Sequence, residues 1–162
     1  MIFITLGSQK FQFNRLLKEV DKLVQEKKIS EEIFAQIGYS DYIPQNYEYK
    51  TFIDRDEFKN LMEKSTLVIA HGGTGAIITA VKQGKKVIAV PRLVEFGEHV
   101  DNHQIQLIDE FKELNLIEPV YNIEDLKKAI DSVKDKKYNK YISNTHMIIE
   151  SIEDFIEKNK KI

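Results

Sequence analysis

The sequence predicts an α/β fold, a single Rossmann-like domain with a parallel sheet flanked by helices. Short continuous apolar runs alternate along the chain with apolar residues at helical spacing, the pattern of interleaved strands and helices. Two strand ends run into glycine-bearing turns just before a helix, Gly7-Ser8 and His71-Gly72-Gly73-Thr74-Gly75. The length of 162 residues suits one domain with its own core, and no repeat, low-complexity block or linker divides it.

The first strand is Ile2 to Leu6, stopped by Gly7-Ser8. Phe13, Leu16, Leu17, Val20, Leu23 and Val24 recur at three and four residues and build the apolar face of a helix. Ile33 to Ile37 reads as a strand closed by Gly38, and Tyr47 to Ile53 as a second extended piece. A helix through Phe58, Leu61 and Met62 follows, with Asp54 or Asp56 as its cap. Leu67 to Ala70 is a buried strand, His71 to Gly75 a turn, and Ala76 to Gln83 a helix ended by Gly84. Val87 to Pro91 is the next buried strand. A polar loop from Arg92 to Asn102 leads to a helix with Ile105, Leu107, Ile108 and Phe111 inside. Val120 ends a last short strand, and Ile123 to Val133 is amphipathic. In the tail, residues 143–162, a stripe of Ile148, Ile149, Ile152, Phe155 and Ile156 on a charged helix either returns to the core or serves a partner.

Composition narrows the function classes. With 24 Lys+Arg against 26 Asp+Glu the formal net charge is −2, so nothing in the overall field attracts nucleic acid or anionic lipid. An anionic ligand must be held by local groups. Cysteine is absent, which excludes disulfides, a thiol nucleophile and a thiolate zinc site and leans towards an intracellular protein. The segment from Met1 to Gly7 lacks the features of a secretory signal, and no apolar run approaches the roughly 20 residues that span a bilayer. Arginine is scarce, only Arg15, Arg55 and Arg92, which singles those three out.

Both glycine-bearing turns belong to the carboxyl edge of a parallel sheet, where ligands of open α/β folds bind. Such a turn is either a plain tight turn or a phosphate cradle. In the second case glycine permits close backbone approach, and unpaired N–H groups at the helix start face the anion with the helix dipole behind them. Thr74 adds a hydroxyl and His71 a ring N–H. Neither turn has the spacing of a dinucleotide fingerprint or an ATP P-loop. The stretch Gly97-Glu98-His99-Val100-Asp101-Asn102-His103-Gln104 crowds donors and acceptors suited to sugar hydroxyls. His99 and His103 stand four apart, as helix-borne metal ligands do, but the glutamate is on the wrong side for a zinc protease motif and a third ligand is not obvious. No metal or cofactor is expected. Asp101 or Asn102 would ordinarily cap the following helix.

Together Ile69 to Ile77, Gly84 to Arg92 and Gly97 to Gln104 resemble the C-terminal, donor-binding half of family 28 glycosyltransferases of the GT-B fold. The likeness extends to stand-alone members: small catalytic subunits of bacterial capsule and exopolysaccharide enzymes, and the soluble subunit of the split eukaryotic enzyme acting on dolichol-linked sugar. It begins at Thr5-Leu6-Gly7-Ser8 and Phe13 to Leu17, passes through Gln36 to Ser40 and reaches about Glu118. The resemblance implies that Ile53, after Phe52, frames uracil through its backbone. It implies that Gly7, Ser8, His71, Gly72, Gly73, Thr74 and Gly75 hold a diphosphate with added charge from Arg92, and that Asn102 and Gln104 contact the transferred sugar. One departure stands out. Where the family presents a carboxylate to the ribose, this chain has Thr79, leaving Glu95 or Glu98 as substitutes.

The implied activity is inverting transfer of a hexose from a UDP-sugar to a lipid-linked acceptor, galactose favoured, N-acetylglucosamine or glucuronic acid as alternatives. Backbone amides and a helix dipole can neutralise the leaving diphosphate without a metal, whereas the acceptor hydroxyl needs a general base. Glu98 or His99 would be that base if this chain carries it. The family's acceptor half is missing, so the resemblance implies a cytoplasmic subunit recruited to the inner membrane face by a membrane-anchored, acceptor-binding partner. The alternatives are a non-catalytic UDP-sugar-binding module regulating a partner transferase and, less favoured for want of a second domain, a nucleotide-sugar epimerase of related fold.

Overall fold

The computed structural model describes residues 1–143, so the tail stripe from Ile148 to Ile156 lies outside the described residues. Six strands form one sheet: β1 (Ile2–Thr5), β2 (Ile33–Gln36), β3 (Glu48–Lys50), β4 (Leu67–His71), β5 (Lys86–Val90) and β6 (Glu118–Pro119). All pairings are parallel, in the order β3-β2-β1-β4-β5-β6. The helices are α1 (Asn14–Gln25), α2 (Arg55–Lys64), α3 (Thr74–Lys82), α4 (His103–Glu113) and α5 (Leu126–Val133), with single 3-10 turns at Val94–Phe96 and Ile123–Asp125.

Alternation along β1 sends its side chains to two separate cores. Ile2 and Ile4 meet Leu16, Leu17 and Val20 of α1 and Leu126, Ile130 and Val133 of α5. Phe3 points the other way, into a core with Met62 of α2, Ile77 and Ala80 of α3 and Ile108 of α4. Covering both faces is what lets the central strands be uniformly apolar. Among the described residues, no helix is long and apolar enough to cross a membrane.

The strand order places a crevice. After β1 the chain winds out through β2 and β3, then returns to β4 on the other side of β1, with Ile4 paired to both Ala35 and Ile69. The carboxyl ends of β1 and β4 are therefore neighbours whose connections leave in opposite directions, the switch point at which open α/β sheets bind ligands.

Several expected boundaries move. Of Tyr47 to Ile53 only Glu48 to Lys50 pairs, as an exposed edge strand. Charged side chains on such an edge discourage pairing with other chains. Asp54, not Asp56, caps α2, accepting from the Glu57 N–H at 2.8 Å. Helix α3 begins at Thr74 instead of Ala76, so Thr74 and Gly75 belong to its first turn. In α4 it is Gln104 and Ile108 that are buried, while Ile105, Leu107 and Phe111 are half-buried.

Candidate functional site

At the switch point the two turns touch. Gly7 has φ +71°, a left-handed conformation that glycine adopts without strain, and a Cβ built there would stand 2.5 Å from His71 Nε2. His71 is 8% exposed. Its Nδ1 accepts from the Gly73 N–H at 2.9 Å, so the neutral ring carries its proton on Nε2, the nitrogen facing Gly7. Gly73 is required for the same reason, because a Cβ there would fall 2.0 Å from His71 Cε1.

Burial, then the nearby Arg92 charge and then His99 push the His71 pKa down to about 4. A histidine kept neutral in the fold binds fewer protons than in the unfolded chain. Stability linked to it is thus complete above the ordinary pKa of about 6.5 and declines as pH falls towards 4. We expect NMR titration to show the His71 ring neutral, with its proton on Nε2, down to pH 5. Unfolding free energy should fall between pH 6.5 and 4, with a shallower slope in His71→Asn. Protonation of the ring near pH 6.5 would be the opposite result.

The amides of the turn are not all available. Gly72 N–H donates to Gln104 Oε1 at 3.1 Å, and Gly73 N–H is spent on His71. The open donors begin with α3, whose first amides have no intrahelical acceptor and whose N-cap, Gly73, supplies no side chain. Thr74 and Gly75 are exposed there, at the positive end of the helix dipole. Ser8 is exposed on the opposite lip.

Gln104 is 2% exposed, and its Oε1 also accepts from the Arg92 N–H at 3.0 Å. One carbonyl thereby ties the ends of β4 and β5 together. That is a holding role for Oε1, beside the sugar contact expected for Gln104. Arg92 is buried, only 1% exposed. One guanidinium nitrogen donates to Leu6 O at 2.6 Å, the Phe13 ring lies 5.5 Å away, and Nε and Nη1 have no partner among the described residues. Burial lowers the Arg92 pKa to about 10, Glu98 acting in the opposite sense, and the group stays charged at neutral pH.

Glu98 is fully buried and both its oxygens are committed. Arg15 donates to Oε1 at 3.0 Å and to Oε2 at 2.9 Å, and the Leu93 N–H donates to Oε2 at 3.0 Å. Arg15 also donates to Pro91 O at 3.0 Å and lies 4.7 Å from the Phe96 ring. Glu98 is therefore the anchor of the loop after β5 and does not face the crevice as a free base or a ribose acceptor. Its Arg15 partner was legible only through the scarcity of arginine. His99 packs on Phe11 at 4.7 Å, bringing the loop against the β1–α1 connection. Asn102 is exposed, but its Oδ1 accepts from the Val94 N–H at 3.0 Å. The capping contact at α4 comes from Asp101, whose Oδ1 accepts from the His103 N–H at 3.0 Å.

On the other side of β1, Ile53 is half-buried, and Phe52 is exposed with its ring 5.2 Å from Tyr39, edge to face. In α3 the Thr79 hydroxyl donates back to Gly75 O at 2.8 Å, which spends its hydrogen within the helix. Glu95 is exposed in the loop after β5.

Comparison with known proteins bears on this geometry. Residues 1–159 match the family model of the glycosyltransferase family 28 C-terminal domain. The UDP-N-acetylglucosamine transferase subunit ALG13 of Kluyveromyces lactis is 37% identical over 81 residues, covering 49% of this chain and 39% of that protein. Its namesake in Candida albicans is 24% identical over 102 residues, covering 63% of this chain and 33% of that protein. Among solved structures, the glycotransferase of kitacinnamycin superposes with a TM-score of 0.63 at 15% identity over 83% of this chain and 35% of its own. Acinetobacter baumannii MurG gives 0.57 at 15% identity over 82% of this chain and 41% of its own. At such identities the likeness is one of fold, and this chain spans well under half the length of each of these proteins. The sheet order, the crevice and a match running through nearly the whole sequence agree: the chain belongs to the glycosyltransferase family 28 C-terminal domain family.

Proposed function

We propose that this chain is the UDP-sugar-binding subunit of a two-component inverting glycosyltransferase that moves a hexose onto a lipid-linked acceptor in capsular or exopolysaccharide synthesis. The observation that carries the reading is the cradle at the switch point. There a neutral His71 with its proton on Nε2, the turn of half-buried Gly7 and exposed Ser8 and the open amides of α3 converge on one crevice. The diphosphate of the donor sits against those amides. As the sugar–oxygen bond breaks, charge growing on the leaving phosphate meets fixed dipoles already aimed at it, which needs no metal. Uracil lies towards Phe52 and Ile53, and the sugar towards the loop from Glu95 to His103.

The general base belongs to the acceptor-binding partner. Glu98 is committed to Arg15 and Leu93, which leaves His99 as this chain's own candidate. A membrane-anchored partner holds the complex at the cytoplasmic face. Galactose is the donor favoured by the family resemblance. N-acetylglucosamine is the sugar in the printed name of the ALG13 relatives. A second reading, a UDP-sugar-binding module without catalysis, is favoured by Thr79, since α3 offers no carboxylate to a ribose.

Radiolabelled transfer from a panel of UDP-sugars, with membranes bearing or lacking the partner, separates the two. We expect transfer from one UDP-hexose only when both chains are present, and its loss in His71→Ala and Gln104→Ala. Binding of UDP with no transfer from any donor would leave the module reading, and full activity in both variants would refute the site.

A further inference from the structure

The pairing of His99 with His103 lacked a third ligand in the sequence, and the fold supplies one. We infer that His99, Asp101 and His103 form a binding site for a divalent late transition metal such as Zn²⁺ at the start of α4.

One ligand atom from each of the three side chains lies within 4.8 Å of those of the other two. His99 Nδ1 is 3.4 Å from Asp101 Oδ1, His103 Nδ1 contacts that same oxygen, and the two imidazoles stand 4.7 Å apart at 64°. Around a tetrahedral ion with bonds of about 2.1 Å, ligand atoms are about 3.4 Å from one another. The His99–Asp101 pair already has that spacing, and no pair exceeds it by more than about 1.4 Å, within reach of side-chain rotation.

The site has one fixed and two adjustable members. The His99 side chain is 7% exposed and rests on Phe11, whereas Asp101 and His103 are about half exposed and free to close on an ion. Capping does not compete with this. Asp101 Oδ1 accepts from the His103 N–H, but a carboxylate has capacity for several contacts at once. Two imidazoles and one carboxylate suit zinc, nickel or cobalt better than magnesium or calcium, which prefer all-oxygen shells. Three protein ligands also leave one coordination position open on the solvent side. The inference stands on this cluster alone and does not depend on sugar transfer.

The test uses the full chain freed of any purification tag. Calorimetry with Zn²⁺ alone should give one bound equivalent, and Co²⁺ should develop the visible bands of a low-symmetry, four-coordinate ion. Affinity should fall at least about tenfold in Asp101→Asn and in His103→Ala, while His146→Ala retains it. Circular dichroism checks that the variants fold. In the wild-type chain, NMR should place the zinc-induced ring shifts on His99 and His103, a readout that needs no substitution. Absence of a stoichiometric site, wild-type affinity in both cluster variants, or ring shifts confined to His71 or His146 would overturn the inference.

Discussion

Glu98→Gln should lower the unfolding free energy by about 3 kcal/mol, near the lower end for a broken buried ion pair because Arg15 keeps some contact with water. For a chain of this length that is a fall in Tm of roughly 6–12 °C. The reason is a charge count in a closed space: two guanidinium groups, Arg15 and Arg92, flank one carboxylate, and two nitrogens of Arg92 already lack a partner among the described residues. Neutralising Glu98 leaves two cations uncompensated, Arg92 out of reach of water and Arg15 only partly in contact with it. The same logic predicts non-additivity. Arg92→Met alone removes the bond to Leu6 O, yet in the Glu98→Gln background it also removes an uncompensated charge. The double variant should therefore be more stable than the sum of the single losses by at least about 1 kcal/mol. Denaturant unfolding followed by circular dichroism reads all three. A loss below 1 kcal/mol for Glu98→Gln, or strict additivity, would show that the loop is not held in this way.

Gly73→Ala should weaken UDP binding at least tenfold in Kd, about 1.4 kcal/mol. The added methyl falls 2.0 Å from His71 Cε1, so the ring has to swing away. The swing breaks the Gly73 N–H···Nδ1 bond and removes the fixed Nε2 proton from the crevice. Gly75→Ala is the contrast in folding terms. Nothing lies within 4 Å of a Cβ at that helical position, and alanine is the better helix former by roughly 0.8–1 kcal/mol. Its Tm should rise while that of Gly73→Ala drops. Calorimetry with UDP and thermal unfolding give both readings, and unchanged UDP affinity in Gly73→Ala would remove His71 from the site.

The architecture was readable because both cores rest on patterns that sequence displays directly. Ile2, Phe3 and Ile4 form an unbroken apolar run because opposite faces of β1 are both covered, and Leu16, Leu17 and Val20 keep the spacing of one helix face. The crevice was readable for the same reason, since glycine at a strand end marks a conformation or an approach that other residues resist. Polar roles were not readable. Gln104 and Glu98 look like site residues in a sequence of donors and acceptors, and only the return of the loop across β4 and β5 shows that their oxygens are spent on backbone N–H groups and on Arg15. The setting of Arg92 was not readable either. Its charge suggested a ligand, and its burial beside Leu6 and Phe13 is a tertiary fact with no local signature.

The loop after β5 divides its labour by direction. Glu98 is committed inward and Asn102 to the loop's own backbone, while the side chains of Glu95 and Val100 are exposed and make no such contact among the described residues. Substitutions at these outward positions therefore change the chemistry that the loop shows to solvent without removing what holds the loop in place.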